Sequence, residues 1–150
     1  MAAASLFGHA RGAFTGAEKE RDGYLKNAHH GTLFLDEIGN IPLEVQAKIL
    51  RVVEYQTFER VGGAEPVRVD VRIIGATNAD LRGMAARGRF KQDLLDRLSF
   101  EVLALPPLRE RNGDILMMAK AFLQRFSSEN KKRIETFTPQ ALAAIVRHSW

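Results

Sequence analysis

The 150-residue chain has no cysteine, so it can form neither a disulfide nor a thiolate metal site. It also has no uninterrupted apolar run of about eighteen residues and no signal-peptide pattern, which argues against a membrane span or secretion. With 45% hydrophobic and 27% charged residues, the composition is that of a soluble globular chain rather than a disordered one. These absences together predict a cytoplasmic location.

The excess of positive charge is small. The formal net charge is +4, and the 22 lysines and arginines are spread along the chain rather than clustered. Charge therefore permits contact with nucleic acid without indicating it. We keep direct DNA binding as a minor hypothesis, which a strong salt dependence of binding would support.

The most informative stretch is an apolar run that ends in two adjacent carboxylates. Leu33, Phe34 and Leu35 are followed directly by Asp36 and Glu37. The run predicts a strand buried on both faces of a parallel sheet, whose ligand site lies at the carboxyl ends of its strands. There one carboxylate can hold a cation while the other faces a water, as in a Walker B element. The alternative is a plain strand end with acidic turn residues.

A second apolar stretch, residues 71–75, ends in Thr77 and Asn78. If its strand neighbours the first one, these two side chains lie beside Asp36. An amide can orient a water or a phosphate oxygen without competing for a cation. Asn at a strand end is also a common turn former, so this alternative stays open.

The stretch from Phe7 to Ala17 contains three glycines. This argues against a regular helix or strand there, because each glycine adds backbone freedom that a regular element would have to remove. Phe14 and Thr15 then occupy the tip of a loop between Gly12 and Gly16. Two interpretations remain open: Phe14 folds back into the core, or it is an exposed tip that binds a partner.

The remaining patterns complete an α/β fold. Apolar spacing predicts an amphipathic helix from Pro42 to about Tyr55, a hairpin around Gly62, and helices over residues 80–86 and 90–98. Lys91 and Arg97 lie off the inner face of the last helix, where they either pair with Asp93 and Asp96 or reach an anion on a neighbouring subunit. The pair His29 and His30 has no further metal ligands at suitable spacing.

Residues 100–105 are predicted to form a third strand that ends at Pro106. We place a subdomain boundary after residue 108, which divides the chain into residues 1–108 and 109–150. The second part begins with a helix whose apolar stripe, from Ile115 to Phe126, is predicted to be core. Thr138 and Pro139 then match an N-cap and the first position of another helix.

Taken together, the chain resembles the central AAA+ domain of bacterial enhancer-binding proteins, which activate RNA polymerase carrying sigma-54, and is similar to the phage-shock-type activators. The resemblance covers residues 5–150. It rests on four motifs: Gly12-Ala13-Phe14-Thr15-Gly16-Ala17 (the GAFTGA loop), residues 31–37, Ala76-Thr77-Asn78, and residues 105–111. The expected fold is a partial AAA+ parallel sheet with flanking helices, followed by the start of an α-helical lid.

The resemblance implies a role for each matching residue. Asp36 is expected to hold the magnesium ion that accompanies ATP, and Glu37 to polarise the attacking water. Thr77 and Asn78 match the sensor I element. Arg97 matches an arginine finger that reaches the next subunit's nucleotide.

The resemblance also implies partners. The GAFTGA loop is expected to bind sigma-54 within a homo-oligomer, which the resemblance implies is a hexameric ring. DNA is expected to be bound by a separate domain that this chain does not contain. The alternative to an ATP-driven activator is a protein-binding module that uses Phe14 without nucleotide turnover.

Two departures from the family pattern limit these expectations. The sequence Gly-x-x-x-x-Gly-Lys followed by Ser or Thr is absent, whereas the family places this phosphate-binding loop before the position of Ser5. Lys91 stands where the family pattern usually has a second arginine, and it keeps the charge but lacks the planar fork. We therefore expect the chain to be a fragment that does not hydrolyse ATP alone.

Overall fold

The structure, a computed structural model, describes residues 2–150 except for the side chains of Ala2 and Asn112. It contains two compact units, of which the first ends at Val102 and the second spans Leu103–Trp150. The subdomain boundary that we placed after residue 108 stays a prediction.

The first unit is an α/β fold, as the sequence predicts. Its strands are β1 (Gly31–Leu35), β2 (Thr57–Glu59), β3 (Pro66–Arg68) and β4 (Val71–Gly75). Its helices are α1 (Ala2–Phe7), α2 (Tyr24–Asn27), α3 (Leu43–Tyr55), α4 (Leu81–Ala86) and α5 (Gln92–Leu98).

Strands β1 and β4 are parallel neighbours, with Leu35 opposite Gly75, which confirms the predicted adjacency. The prediction that β1 is buried on both faces is wrong for the described residues. Leu33 and Leu35 pack against the core, but Phe34 is 60% exposed on the other face. Ile74, its register partner in β4, is 40% exposed there. The pleat explains this alternation, because α3 and its neighbours cover only one face of the strand pair.

Helix α3 is the central element of the core. Its apolar positions Val45, Ile49 and Val52 recur at helical spacing and are buried. Pro42 precedes the first helical residue as the N-cap, and the helix ends where Gln56 adopts a left-handed conformation. The predicted amphipathic helix is therefore confirmed, and its buried side chains share one hydrophobic core with the strand pair and α5.

Strands β2 and β3 pair in antiparallel register, which confirms the predicted hairpin. Phe58 anchors it, because its buried ring lies 5.8 Å from the ring of Phe7, centroid to centroid. The hairpin is thereby fixed to the segment that leads into the GAFTGA loop.

The prediction of a third strand over residues 100–105 is wrong. These residues form no strand, and Phe100 and Leu105 are 98% and 88% exposed. A strand needs a neighbouring backbone to satisfy its N–H and C=O groups, and no described residue supplies one here. Apolar character and β-propensity alone do not make a strand.

The second unit contains α6 (Asn112–Glu129) and α7 (Pro139–Arg147). Thr138 caps α7, since its hydroxyl oxygen accepts a hydrogen bond from the Ala141 N–H at 3.2 Å, and Pro139 is the first helical residue, as predicted. The predicted core stripe of α6 is only partly correct: Ile115 is buried, but Phe122 and Phe126 are 61% and 51% exposed. Among the described residues, no helix is both long enough and apolar enough to cross a membrane.

Candidate functional site

The two carboxylates after β1 lie in a tight turn with an unusual backbone. Glu37 adopts a left-handed conformation with φ 52° and ψ 44°, which is uncommon for a residue with a side chain. The Asp36 Oδ1 atom accepts a hydrogen bond from the Glu37 N–H at 2.9 Å, and the Ile38 N–H donates to the Ala76 carbonyl at 3.0 Å. These hydrogen bonds therefore hold Glu37 in a backbone conformation that is energetically unfavourable for a residue with a side chain. Such conformations are common at functional sites.

The Glu37 carboxylate has a fixed position that the sequence did not indicate. Asn40 Nδ2 donates a hydrogen bond to Glu37 Oε2 at 3.1 Å, and the Asn40 N–H donates to the Glu37 carbonyl at 2.9 Å. The two residues thus close a short 3-10 turn through both backbone and side chain. The sequence pattern that could have indicated this turn is an amide side chain three residues after the carboxylate.

Thr77 and Asn78 follow β4 at the same end of the sheet as the carboxylates. The Ala76 N–H donates to the Leu35 carbonyl at 2.8 Å, which continues the ladder up to the turn. The Thr77 hydroxyl accepts from the Ala79 N–H at 3.0 Å, and a methyl group built on Gly39 would lie 3.3 Å from it. The two strand ends therefore pack closely, and Asp36, Glu37, Thr77 and Asn78 are all exposed there.

Of the two cations in the α5 region, Arg97 is held by a residue of α3 rather than of α5. Arg97 Nε donates to Glu54 Oε1 at 3.1 Å, whereas Asp96 accepts from Gln92 at 2.8 Å. Of the two alternatives left open for Arg97, pairing with Asp93 or Asp96 is not found among the described residues, and the alternative of an anion on a neighbouring subunit stays a prediction. Lys91 is the N-cap of α5. Within the described residues, no hydrogen bond or ion pair joins the side chain of Lys91 or Arg97 to the turn that carries Asp36 and Glu37 (the carboxylate turn).

The GAFTGA loop is closed by its own backbone. The Gly12 N–H donates to the Ala17 carbonyl at 2.7 Å, and the Ala17 N–H donates to the Phe14 carbonyl at 3.0 Å. Gly12 and Gly16 have φ of 78° and 94°, which a side chain would oppose. Phe14 is 47% exposed, and its ring centroid lies 4.9 Å from that of His9. Neither interpretation of Phe14 is therefore fully correct: it is neither core nor free of contact.

The β2–β3 hairpin supports the base of this loop, a role that its sequence did not indicate. The Ala10 N–H donates to the Val61 carbonyl at 2.9 Å, and the Val61 N–H donates to the Gly8 carbonyl at 3.0 Å. A surface cavity of about 520 Å³ lies beside the contact and is lined in part by His9, Phe14 and Val61. Such pairings between distant segments leave no local trace in the sequence.

Ion pairs join the segment that follows the GAFTGA loop to the β2–β3 hairpin. Arg60 Nη2 lies 2.8 Å from Asp22 Oδ1 and 3.0 Å from Glu20 Oε1. The hydrogen bond from Arg60, followed by that from Lys26, lowers the pKa of the Asp22 carboxyl below its ordinary value of 3.8. Arg60 in turn has a raised pKa, chiefly through the same hydrogen bond.

This pair predicts a stability difference that depends on pH. A carboxyl with a lowered pKa in the folded state contributes stability above its unfolded pKa, and this contribution is lost as the pH falls through the folded pKa. We expect Asp22→Asn to lower the free energy of unfolding at pH 7, and the difference from wild type to shrink below about pH 4. Urea unfolding across this range measures it. In an Arg60→Met background the effect should be much smaller, and identical pH profiles for wild type and Asp22→Asn would contradict the prediction.

Neither histidine of the pair before β1 belongs to a metal site in the part of the chain that the structure describes, where no group of three potential ligands occurs. His29 Nδ1 accepts a hydrogen bond from the Asp70 N–H at 2.9 Å, and His30 Nδ1 lies 3.3 Å from Asp70 Oδ2. The pair instead links the starts of β1 and β4.

An exposed acidic turn and a polar strand end, side by side at the carboxyl edge of parallel strands, define an α/β domain with a candidate ligand site of the nucleotide-binding type. Comparison with known families agrees. The family described as "Sigma-54 interaction domain" matches residues 1–104, and the family described as "AAA+ ATPase lid domain" matches residues 109–150. The chain belongs to the Sigma-54 interaction domain family of AAA+ proteins.

Similar curated proteins are transcription regulators. The chain is 50% identical to the regulatory protein AtoC of Escherichia coli (strain K12) over 145 residues, covering 97% of this chain and 32% of AtoC. It is also 50% identical to the Psp operon transcriptional activator of the same organism over 146 residues, covering 97% of this chain and 45% of that protein. The chain thus spans less than half the length of these relatives.

Solved structures show the same fold. The crystal structure of NtrX from Brucella abortus in complex with ADP has a TM-score of 0.88 and 39% identity, covering 99% of this chain and 32% of NtrX. The NtrX complex with ATP has a TM-score of 0.85 and 40% identity, covering 97% of this chain and 31% of NtrX. The predicted AAA+ fold is therefore confirmed.

Proposed function

We propose that this chain is part of the ATP-hydrolysing domain of a sigma-54-dependent transcription activator, and that its GAFTGA loop contacts sigma-54. The observation that carries the proposal is the exposed pair Asp36 and Glu37 at the carboxyl end of β1, beside the Thr77 end of β4. The nucleotide complexes of NtrX, a relative of the same fold, support it.

The residues at the sheet edge fit ATP with magnesium. Asp36 is exposed and uses Oδ1 for the Glu37 N–H, while Oδ2 has no hydrogen-bond partner among the described residues. Carboxylate oxygens are the ligands that magnesium prefers, so Asp36 would hold the ion, which when bound neutralises charge on phosphate oxygens. Magnesium does not need a preformed cage of protein ligands, since it keeps several waters.

The neighbouring side chains supply the remaining chemistry. Glu37, oriented by Asn40, accepts a hydrogen bond from the attacking water and increases its nucleophilicity. Thr77 and Asn78 face the same edge and orient the water or a phosphate oxygen. Arg97, with Lys91 as a second cation, stabilises charge on the phosphoryl group bound by the next subunit of a hexameric ring.

The chain lacks the phosphate-binding loop, so we propose that it hydrolyses ATP only within a longer polypeptide that supplies this loop. Hydrolysis changes the position of the GAFTGA loop and thereby remodels the closed complex of RNA polymerase with sigma-54. In the same longer protein, a separate domain binds DNA.

The loop's role predicts a complex that depends on one aromatic side chain. The longer protein, mixed with sigma-54 and a transition-state analogue of ATP hydrolysis, is expected to form a complex detectable by native mass spectrometry. Phe14→Ala should abolish it, because Phe14 is the apolar group at the loop tip. Phe122→Ala, which removes an exposed aromatic ring from α6, is the matched control and should leave the complex intact.

The same experiment separates a second candidate function. The chain itself has no phosphate-binding loop but does have a half-exposed Phe14 beside a cavity, which suits a binding module without turnover. That function requires a Phe14-dependent complex that forms equally well without the nucleotide analogue. A complex indifferent to both the analogue and Phe14→Ala would contradict the proposed role of the loop.

A further inference from the structure

Helix α3 contacts the segment that carries Lys91 and Arg97 through two polar side chains, Gln46 near its start and Glu54 near its end. Gln46 Oε1 accepts from the Lys91 N–H at 2.8 Å, and Glu54 Oε1 accepts from Arg97 Nε at 3.1 Å. Gln46 Nε2 also donates to the Ile41 carbonyl at 2.7 Å, directly after the carboxylate turn. One helix therefore links this turn to the backbone of Lys91 and to the guanidinium of Arg97 in the same chain.

The contact between Glu54 and Arg97 uses only one edge of the guanidinium. The hydrogen bond is made by Nε, and the two terminal nitrogens have no hydrogen-bond partner among the described residues. The Arg97 side chain is 61% exposed, whereas that of Glu54 is 24% exposed. A guanidinium held at Nε still presents its two terminal nitrogens, which is the geometry needed to bind a phosphate with two parallel hydrogen bonds.

We propose that Glu54 is a positioning residue for Arg97. It holds Nε against α3, so that the terminal nitrogens point away from the helix toward an anion on a neighbouring subunit. This inference rests on the proposed function, since the anion is the phosphoryl group of the nucleotide bound by that subunit. Holding a flexible side chain in place before the reaction lowers the entropy lost in the transition state.

An ion pair can also have the opposite effect, because a carboxylate that sequesters an arginine slows the reaction. The two effects differ in sign. If Glu54 positions Arg97, removing the carboxylate lowers kcat, and if it sequesters Arg97, removing it raises kcat.

The test uses the longer ATPase protein with Glu54→Ala and Glu54→Gln. We expect Glu54→Ala to lower kcat roughly tenfold with little change in KM, because an arginine finger acts mainly in the transition state. Glu54→Gln keeps an oxygen acceptor for Nε at the same reach and should retain most of the activity. Glu129→Ala breaks the exposed ion pair with Arg125 on α6, at 2.7 Å, and is the matched control with no expected effect on kcat.

Mixing subunits tests whether Glu54 acts across a subunit boundary. Glu54→Ala subunits keep their own carboxylate turn, and Glu37→Ala subunits keep the contact between Glu54 and Arg97. Where a Glu37→Ala subunit presents its Arg97 to the nucleotide site of a Glu54→Ala subunit, that site has both an intact Glu37 and a positioned arginine. The mixture should therefore have a higher kcat than the average of the two separate proteins. Glu37→Ala mixed with Asn78→Ala should show no such gain, because both changes affect the same nucleotide site.

The outcomes distinguish failure of the positioning role of Glu54 from failure of the proposed ATPase function. Unchanged or raised kcat in Glu54→Ala, or no gain on mixing, overturns the positioning role while the proposed ATPase function stands. Absence of ATP hydrolysis by the unmodified longer protein overturns the proposed function and this inference with it. An equal loss in Glu54→Ala and Glu54→Gln, accompanied by a lowered melting temperature in both, assigns Glu54 to folding instead of positioning.

Discussion

Replacing Glu37 by Gln is expected to lower ATP turnover by the longer protein by about 10²- to 10⁴-fold, the range attributed to a general base. Gln keeps the length of the side chain and an oxygen that accepts the hydrogen bond from Asn40 Nδ2, found at 3.1 Å in this structure. The substitution therefore removes the negative charge and leaves the geometry of the turn in place. Steady-state kcat is the measurement, together with nucleotide affinity.

The control for this prediction is Glu44→Gln. Glu44 is an exposed carboxylate in the first turn of α3, and its removal should change kcat by less than about twofold, as is usual for surface substitutions. Glu37→Gln should bind ATP nearly as tightly as the wild type, because the water-polarising group acts on the chemical step. Turnover within about threefold of wild type in Glu37→Gln would remove Glu37 from the mechanism.

The location of Asp36 and Glu37 at the end of β1 could be predicted from the sequence because the relevant signals are local. An apolar run that ends abruptly in Asp36 and Glu37 specifies both a strand and the position of its polar end. Parallel strands then bring their carboxyl ends to one edge, which places Thr77 near the turn without any further information. The same local periodicity was sufficient for α3 and for the β2–β3 hairpin.

The predictions that were wrong depend on which other segments pack against or pair with a given segment. Phe34 lies in a strand as predicted but is 60% exposed, because one apolar residue in a run does not reveal which face a helix will cover. Residues 100–105 have strand-like composition, yet no described residue pairs with them. Burial and pairing depend on the rest of the fold, which local composition does not encode.

The contacts that the sequence did not reveal are mostly between residues far apart in the chain. Glu54 and Arg97 are 43 positions apart, and nothing at either position distinguishes a positioning pair from two solvated charges. Arg97 instead had two nearer acidic candidates on its own helix. The hydrogen bond from Asn40 to Glu37 is local and was accessible in principle, since an amide three residues after a carboxylate can close such a turn.

Gln46→Leu is expected to lower the free energy of unfolding of the first unit by about 2–4 kcal/mol, because it removes three hydrogen bonds and leaves part-buried backbone groups without these partners. Gln46 is fully buried, at 0% exposure, and its side-chain hydrogen bonds within the described residues are to backbone groups. Its amide donates to the Ile41 carbonyl at 2.7 Å and the Arg89 carbonyl at 3.3 Å, and its oxygen accepts from the Lys91 N–H at 2.8 Å. Leucine has a similar volume but can replace none of these bonds.

Urea unfolding of the 150-residue chain, followed by hydrogen exchange of the α3 amides, measures the effect in the unit that contains Gln46. Gln92→Leu is the matched control. Within the part of the chain that the structure describes, the Gln92 amide donates only to the exposed Asp96, at 2.8 Å, so we expect a change within about 0.5 kcal/mol. A loss below about 1 kcal/mol in Gln46→Leu would show that water or rearranged backbone replaces the lost partners. A larger loss would establish that a single buried amide holds the segment after the carboxylate turn and the segment that carries Lys91 in one arrangement, before any nucleotide is bound.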